Sequence, residues 1–181
     1  MVVHLVKIPQ NRVGALIGPE GKIKEELEGR SGCRLRIDSE TGEVEIDDEK
    51  AFEPILVLKT RDAVRAIGRG FSPEHAFRLY QDDTYLDVLD LTEFVGKQTK
   101  DLERVRARII GTHGKTRRSI EEACGVEVSI LGKTVAIIGE VNEVAMAREA
   151  VEMLLNGAAH GTVYKFLERK RKELRLQDMG L

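Results

Sequence analysis

The sequence predicts an α+β fold built twice in tandem, and three observations predict it. Gly18 and Gly111, Gly21 and Gly114, and Gly32 and Gly125 are each 93 residues apart (18 to 111, 21 to 114, 32 to 125). Three glycines in one ungapped register mark an internal duplication. Each copy also mixes short segments of alternating apolar and polar residues, the mark of half-buried strands, with longer segments whose apolar residues recur three or four apart, the mark of a helix face. A chain of 181 residues has room for two such units, each of roughly 80–90 residues and able to hold its own core.

The first copy opens with a strand, His4 to Ile8, closed by Pro9. Asn11 is placed to cap a short helix toward Ile17. A loop from Gly18 to Gly21 follows, then a helix with Ile23 and Leu27 on one face, ended by Gly29 to Gly32. Cys33-Arg34-Leu35-Arg36-Ile37 alternates as a strand does, Glu40-Thr41-Gly42 turns, and Val44 and Ile46 alternate again. Pro54 suits the first turn of a longer helix that reaches Ile67 and stops near Gly68 and Gly70. Residues 71–83 form a linker in which Ser72-Pro73-Glu74 starts a short helix and Asp82-Asp83 ends it.

The second copy repeats the order. Tyr85 to Leu91 is its strand, with Leu86, Val88 and Asp90 facing one way. Thr99 to Ile110 is helical, with Leu102, Val105 and Ile109 on one side. The loop Gly111–Gly114 leads into a helix from Lys115 to Cys124. Val126, Val128 and Ile130 alternate, Leu131-Gly132-Lys133 turns, and Val135 to Ile138 is the last strand. Asn142 is placed to cap a helix whose stripe of Val144, Ala147, Val151 and Leu154 belongs to a core, with Gly157 as its stop. A further helix, Thr162 to Leu176, docks through Val163, Phe166, Leu167 and Leu174 and is otherwise basic. The expected division is therefore a first domain over 1–70, the linker 71–83, a second domain over 84–157 and a basic C-terminal helix over 158–181.

Composition narrows the function. Charged residues make up 33% and hydrophobic residues 41%, which fits a globular chain. No apolar run approaches a membrane span. Met1-Val2-Val3-His4 lacks the pattern of a secretory signal. Cys33 and Cys124 form no Cys-x-x-Cys pair and do not match in the repeat, so a reduced, cytoplasmic setting is expected. The net charge of −2 argues against indiscriminate nucleic-acid binding. Charge is segregated, however, and the local field decides where phosphate goes. Acidic runs cover 38–53 and 82–93, whereas Arg104, Arg106, Arg108, Lys115, Arg117 and Arg118 surround the second glycine loop.

Both glycine loops read aliphatic-Ile-Gly-x-x-Gly-Lys, between two helical patterns. Gly114-Lys115-Thr116 imitates the end of a P-loop, but the glycine required five residues earlier is Ile109, and a helix rather than a strand precedes the loop. The dinucleotide pattern fails too, since Gly68-Arg69-Gly70 meets Pro73 where its third glycine belongs. A helix–Gly-x-x-Gly–helix suits a different task. Its glycines let a sugar-phosphate backbone approach closely, and the following helix offers free amides and partial positive charge. Lys115, Arg117 and Arg118 add full charges there, while Ile110, Val128 and Ile130 supply an aliphatic groove for bases. Stacking platforms are scarce, with 4% aromatic residues and no Trp.

On these motifs both halves resemble the K-homology (KH) domain, whose Gly-x-x-Gly loop clamps about four nucleotides of single-stranded nucleic acid. The order of elements matches its type I form, so each copy is expected to be a three-stranded sheet backed by three helices. Residues 35–44, 111–122, 132–139 and 160–170 further resemble the archaeal two-KH RNA-processing proteins, relatives of the eukaryotic partner-of-Nob-one (Dim-two) and Krr-one small-subunit assembly factors. That resemblance implies binding to single-stranded RNA at the 3′ region of small-subunit ribosomal RNA. It also implies work beside a maturation endonuclease or a translation initiation factor subunit.

The expected RNA contacts are Arg108, Ile110, Gly111, Thr112, His113, Gly114, Lys115, Arg117, Arg118, Val128 and Ile130. His113 either donates to phosphate or faces water. The first loop is weaker, because Pro19 lacks an N–H and Glu20 repels phosphate. Arg12, Gly18, Gly21, Lys22 and Lys24 form a secondary set, with Lys165, Arg169, Lys170 and Arg171 of the C-terminal helix. The scattered His4, His75, His113 and His160 show no metal-ligand spacing, and no nucleophile–base set stands out. A binding protein without cofactor or metal is expected, with a protein-interaction scaffold as the competing reading.

Overall fold

The computed structural model describes residues 2–181. The chain divides into two units, Met1–Thr84 and Tyr85–Leu181. In the first, β1 (Val3–Lys7), α1 (Val13–Ile17), α2 (Lys22–Ser31), β2 (Arg34–Ile37), β3 (Glu43–Asp47), α3 (Pro54–Gly68) and α4 (Pro73–Phe77) follow one another. The second holds β4 (Tyr85–Asp90), α5 (Thr92–Val95), α6 (Thr99–Ile110), α7 (Lys115–Cys124), β5 (Glu127–Leu131), β6 (Thr134–Gly139), α8 (Val141–Leu155) and α9 (His160–Asp178). Each sheet is antiparallel and three-stranded, in the orders β1-β3-β2 and β4-β6-β5.

In the first unit Val6, Leu35, Val44 and Ile46 point into the core from one sheet face. Glu43, Glu45, Arg34 and Arg36 alternate outward, the pattern of a sheet covered on one side. Pro54 opens α3, and the Ser72 hydroxyl accepts the His75 amide at 3.4 Å to cap α4. α4 packs on α3, and Lys59 fixes the turn beyond it through the Tyr80 carbonyl at 2.8 Å and Asp82 at 2.9 Å. The β2–β3 connection is closed by Asp38, whose Oδ1 accepts the Glu40 and Thr41 amides at 2.8 and 3.2 Å. Those two bonds hold its carboxyl below the usual range.

The second unit packs Leu89, Val128, Val135 and Ile137 of its sheet against Val105, Ile109 and Ile120. The stripe Val144, Ala147, Val151 and Leu154 of α8 closes this core. Helix α9 lies on α7 and α8 through buried Val163, Phe166 and Leu167, each burial worth roughly 1.5–3 kcal/mol. Leu174 joins the edge of that contact.

Two local expectations need correction, and a third gains detail. Asn11 sits inside a 3-10 turn, Gln10–Arg12, and caps nothing, because the chain enters α1 already helical. Asn142 lies within the first turn of α8, whose N-cap is Glu140. In β4, Leu86, Val88 and Asp90 do share a face, but Leu89 on the opposite face is the fully buried residue. That face is the one the helices cover, as its partner Val135 shows. The short α5, with Asp90 accepting the Thr92 amide at 2.9 Å, was not read from the sequence.

Candidate nucleic-acid interface

The two glycine loops have one backbone. Gly18 and Gly111 adopt φ/ψ of 73/175° and 75/172°, a region open to glycine almost alone. Glu20 and His113 follow in the left-handed region at φ 55° and 54°, then Gly21 and Gly114 at 75° and 73°. Space separates the two glycines of each loop. A Cβ on Gly111 would stand 2.3 Å from Thr116 Oγ1 and 2.7 Å from the Thr116 amide nitrogen. One on Gly18 would meet Ile23 Cγ1 at 2.3 Å. The first glycine is therefore required by packing against the next helix. A Cβ on Gly21 or Gly114 meets nothing within 4 Å. Neighbouring His113 and Glu20 tolerate the same left-handed φ, so the fold alone makes a weaker demand at the second position. Its bareness suits the approach of something outside the chain.

A second feature is shared. Glu121 Oε1 accepts the Val128 amide at 3.0 Å, and Glu28 Oε1 accepts the Leu35 amide at 2.8 Å. Each carboxylate ties the helix after the loop to the edge strand, β5 or β2, and so sets the width of the groove between them. Val128 thereby turns its N–H away from β6. In an antiparallel ladder the residue two further on does the same, which leaves the Ile130 N–H and C=O facing outward at the edge.

Electrostatics separates the copies. No side chain caps α7, so its first amides are free of side-chain acceptors, and Lys115, Arg117 and Arg118 are exposed around them. At α2, Lys22 stands 3.8 Å from Glu20, and Glu25 follows in the first turn. Cationic charge facing a phosphate is thus concentrated at the second loop and partly cancelled at the first.

The structure sorts the sequence-derived residues. Ile110, Gly111, Thr112, His113, Gly114, Lys115, Arg117 and Arg118 gather at the loop and the start of α7, and Ile110 is 37% exposed. Arg108 does not join them. Its guanidinium donates to the Leu154 and Ala158 carbonyls, tying α6 to the end of α8. Arg12 performs the same service in the first unit, donating to Ile67 and Phe71 carbonyls at 2.8 and 2.9 Å. Both are spent on carbonyls at the end of a helix and in the turn after it, of which Ile67 and Leu154 also accept a backbone amide. Val128 is 4% exposed and belongs to the core, so only Ile110 and Ile130 offer apolar surface of the expected groove. Gly18, Gly21, Lys22 and Lys24 assemble at the first loop. On α9, Arg169 and Lys170 approach Glu173 at 3.9 and 3.3 Å, whereas Lys165 and Arg171 are exposed.

Sequence reasoning missed three residues beside the second loop. Thr116, 2% exposed, fills the space over Gly111 and shares a 3.1 Å hydroxyl–hydroxyl hydrogen bond with Tyr164 of α9. His160, one turn before Tyr164, bonds the Arg108 carbonyl at 2.9 Å. The i, i+4 spacing of His160 and Tyr164 put both on one face of α9, but nothing in the sequence said which element that face meets. Among the described residues no cluster of His, Cys, Asp or Glu is arranged to hold a metal ion, and no helix is long and apolar enough to cross a membrane.

Comparison with known proteins agrees with this architecture. The eukaryotic-type KH domain (KH-domain type I), in the form of the second Pno1 domain, matches residues 85–172, and the KH domain family matches residues 3–53. A KH domain-containing protein of Methanocaldococcus jannaschii is 44% identical over 173 residues, 96% of this chain and 76% of that one. The pre-rRNA-processing protein pno1 of Schizosaccharomyces pombe is 29% identical over 161 residues, 88% of this chain and 67% of its own length. A crystal structure of an a/eIF2alpha–aDim2p–rRNA complex from Pyrococcus horikoshii superposes with a TM-score of 0.89 at 48% identity, over 95% of both chains. Identity of that order along almost the whole of the chain fixes the kinship: the chain belongs to the two-domain Dim2/Pno1 family of KH proteins.

Proposed function

We propose that this chain binds single-stranded RNA at the 3′ region of small-subunit ribosomal RNA during ribosome maturation, and that the second Gly-x-x-Gly loop is its reader. The observation that carries the reading is the difference between two loops of one backbone. Only the second joins an open glycine, Gly114, to an unopposed cationic helix start. Phosphates of the strand lie over Gly111–Gly114 and the first turn of α7, where the helix end favours anions by about 0.3–1 kcal/mol per contact. Bases turn toward Ile110 and the outward edge of Ile130. Names of relatives support the substrate, since one is a pre-rRNA-processing protein and another was crystallised with rRNA and a/eIF2alpha.

On this reading the protein is a cytoplasmic binding factor rather than an enzyme, needing neither cofactor nor metal. A maturation endonuclease or an initiation factor subunit acts beside it. The first domain, with Glu20 beside Lys22, suits a structural or protein-facing role. Fluorescence anisotropy with a labelled 3′-terminal small-subunit rRNA fragment tests the assignment. Gly114→Asp, which adds charge in open space, should weaken binding at least tenfold, while Gly21→Asp should leave it within about twofold. Equal losses would make both loops readers. No loss in either would remove the loops from the interface.

A further inference from the structure

Behind the second loop lies a concavity of about 540 Å³, between the end of α6, the loop itself and the first turn of α9. Arg104, Lys115 and His160 line it, with the Gly111 backbone and Thr116 at one end and the ring of Tyr164 as a wall. Among the described residues that line it, none is a carboxylate. Lys115 Nζ rests 6.0 Å from the centre of the Tyr164 ring, so one face of that ring already holds a cation. The cavity lies on the α6–α9 side of the loop, away from the groove bounded by β5, and it exists because α9 follows α8 in this unit. In the first unit the helix at the matching place, α4 after α3, has only 5 residues where α9 has 19.

Resting on the reading that a strand crosses the Gly111–Gly114 loop, we infer that this cavity takes one further nucleotide of the same strand. Its phosphate lies among Lys115, Arg104 and His160, and its base lies on Tyr164. Cationic lining selects a phosphate-bearing ligand, and the ring supplies the aromatic platform beside the loop. Because Gly111 and Lys115 belong to both loop and cavity, adjacent nucleotides reach the two without a spacer. Lys115 exchanges the ring for the phosphate when the base arrives. The site length of the second domain then exceeds the groove by one nucleotide, and part of its affinity comes from stacking, which the composition of the chain argued against.

The test compares a four-nucleotide RNA with the same RNA extended by three nucleotides at the 5′ or the 3′ end. The readout is the ratio of long to short affinity. One extension should raise the affinity of the wild-type protein about fivefold or more, the span expected for one stacked base. Tyr164→Leu should remove that gain. Tyr164→Phe, which keeps the ring and loses the hydroxyl bonded to Thr116, should retain it. Arg104→Gln, on an exposed stretch of α6, should reduce the gain and flatten its salt dependence by about 0.7. An abasic residue at the added position should behave as Tyr164→Leu does. The inference is overturned if neither extension gains affinity, or if Leu and Phe at position 164 lose it equally, which would make the hydroxyl brace the whole effect. It is also overturned if Gly114→Asp abolishes binding while Tyr164→Leu matches wild type at every length. If Gly114→Asp itself leaves binding intact, the loop reading fails first and takes this inference with it.

Discussion

The loops at Gly18–Gly21 and Gly111–Gly114 agree in backbone to within a few degrees and disagree in charge. Their geometry thus has its own cause, the packing of the first glycine on the next helix, and is kept whether or not a phosphate is ever bound. Ligand competence is a separate layer, set by Lys115, Arg117 and Arg118 against Pro19, Glu20 and Glu25. A Gly-x-x-Gly motif therefore testifies to a turn, and only its flanking side chains testify to RNA.

That distinction can be broken or sharpened. The largest effect is expected at the shared layer. Gly18→Ala and Gly111→Ala each force alanine into a glycine-only conformation at about 1–3 kcal/mol, and the steric clash adds to it. Thermal unfolding should show both losses, the larger at Gly111, where the backbone nitrogen of the next helix stands 2.7 Å away against 3.0 Å at Gly18. Stability lost at one glycine alone would mean that the loops are not the same device.

Next comes the contrast among arginines. Arg108→Met should cost about 1.5–3 kcal/mol, the worth of charged hydrogen bonds to two carbonyls, and leave the salt slope of RNA binding unchanged. Arg117→Gln and Arg118→Gln should do the reverse. Stability stays within about 0.5 kcal/mol, and the slope falls by about 0.7 for each phosphate no longer neutralised. A smaller change should follow from Pro19→Thr with Glu20→His, made in the Gly114→Asp background. Restoring an N–H and removing a negative charge should raise RNA affinity about two- to fivefold. An unchanged affinity would mean that α2 as well as its loop is unsuited to RNA.

The smallest effect concerns the β2–β3 connection, where the first domain has Asp38–Gly42 and the second only Gly132-Lys133. Backbone amides lower the Asp38 carboxyl from 3.8 in the folded state. Its contribution to stability is therefore full above its unfolded value and is lost as pH falls through the folded one. The difference in melting temperature between wild type and Asp38→Ala should hold steady from neutral pH to about 4 and close below it.

Much of this molecule was readable in advance because its signals are local. The bounds of α6 and α7, the end of α2 at Gly32, and the stripe of α8 follow from periodicity and from glycines at helix ends. The failures are interactions between distant residues. Arg108 looked like a phosphate ligand because it stands in a basic run, yet carbonyls 46 and 50 residues away claim it. Val128 looked like groove because strand alternation gives two faces without saying which is covered. Tyr164 reaches Thr116 across 48 residues, and no periodicity carries that information.

The sequence by itself determined the duplication, the order of elements and the location of the glycine loops. Those depend on backbone preference and on one face of one element at a time. Tertiary structure alone decided which cations remain free for a ligand, which apolar side chains a base can touch, and that α9 sets an aromatic ring behind the second loop. Each of these depends on which buried donors and acceptors must first be satisfied within the fold, and only the side chains left over can serve a partner.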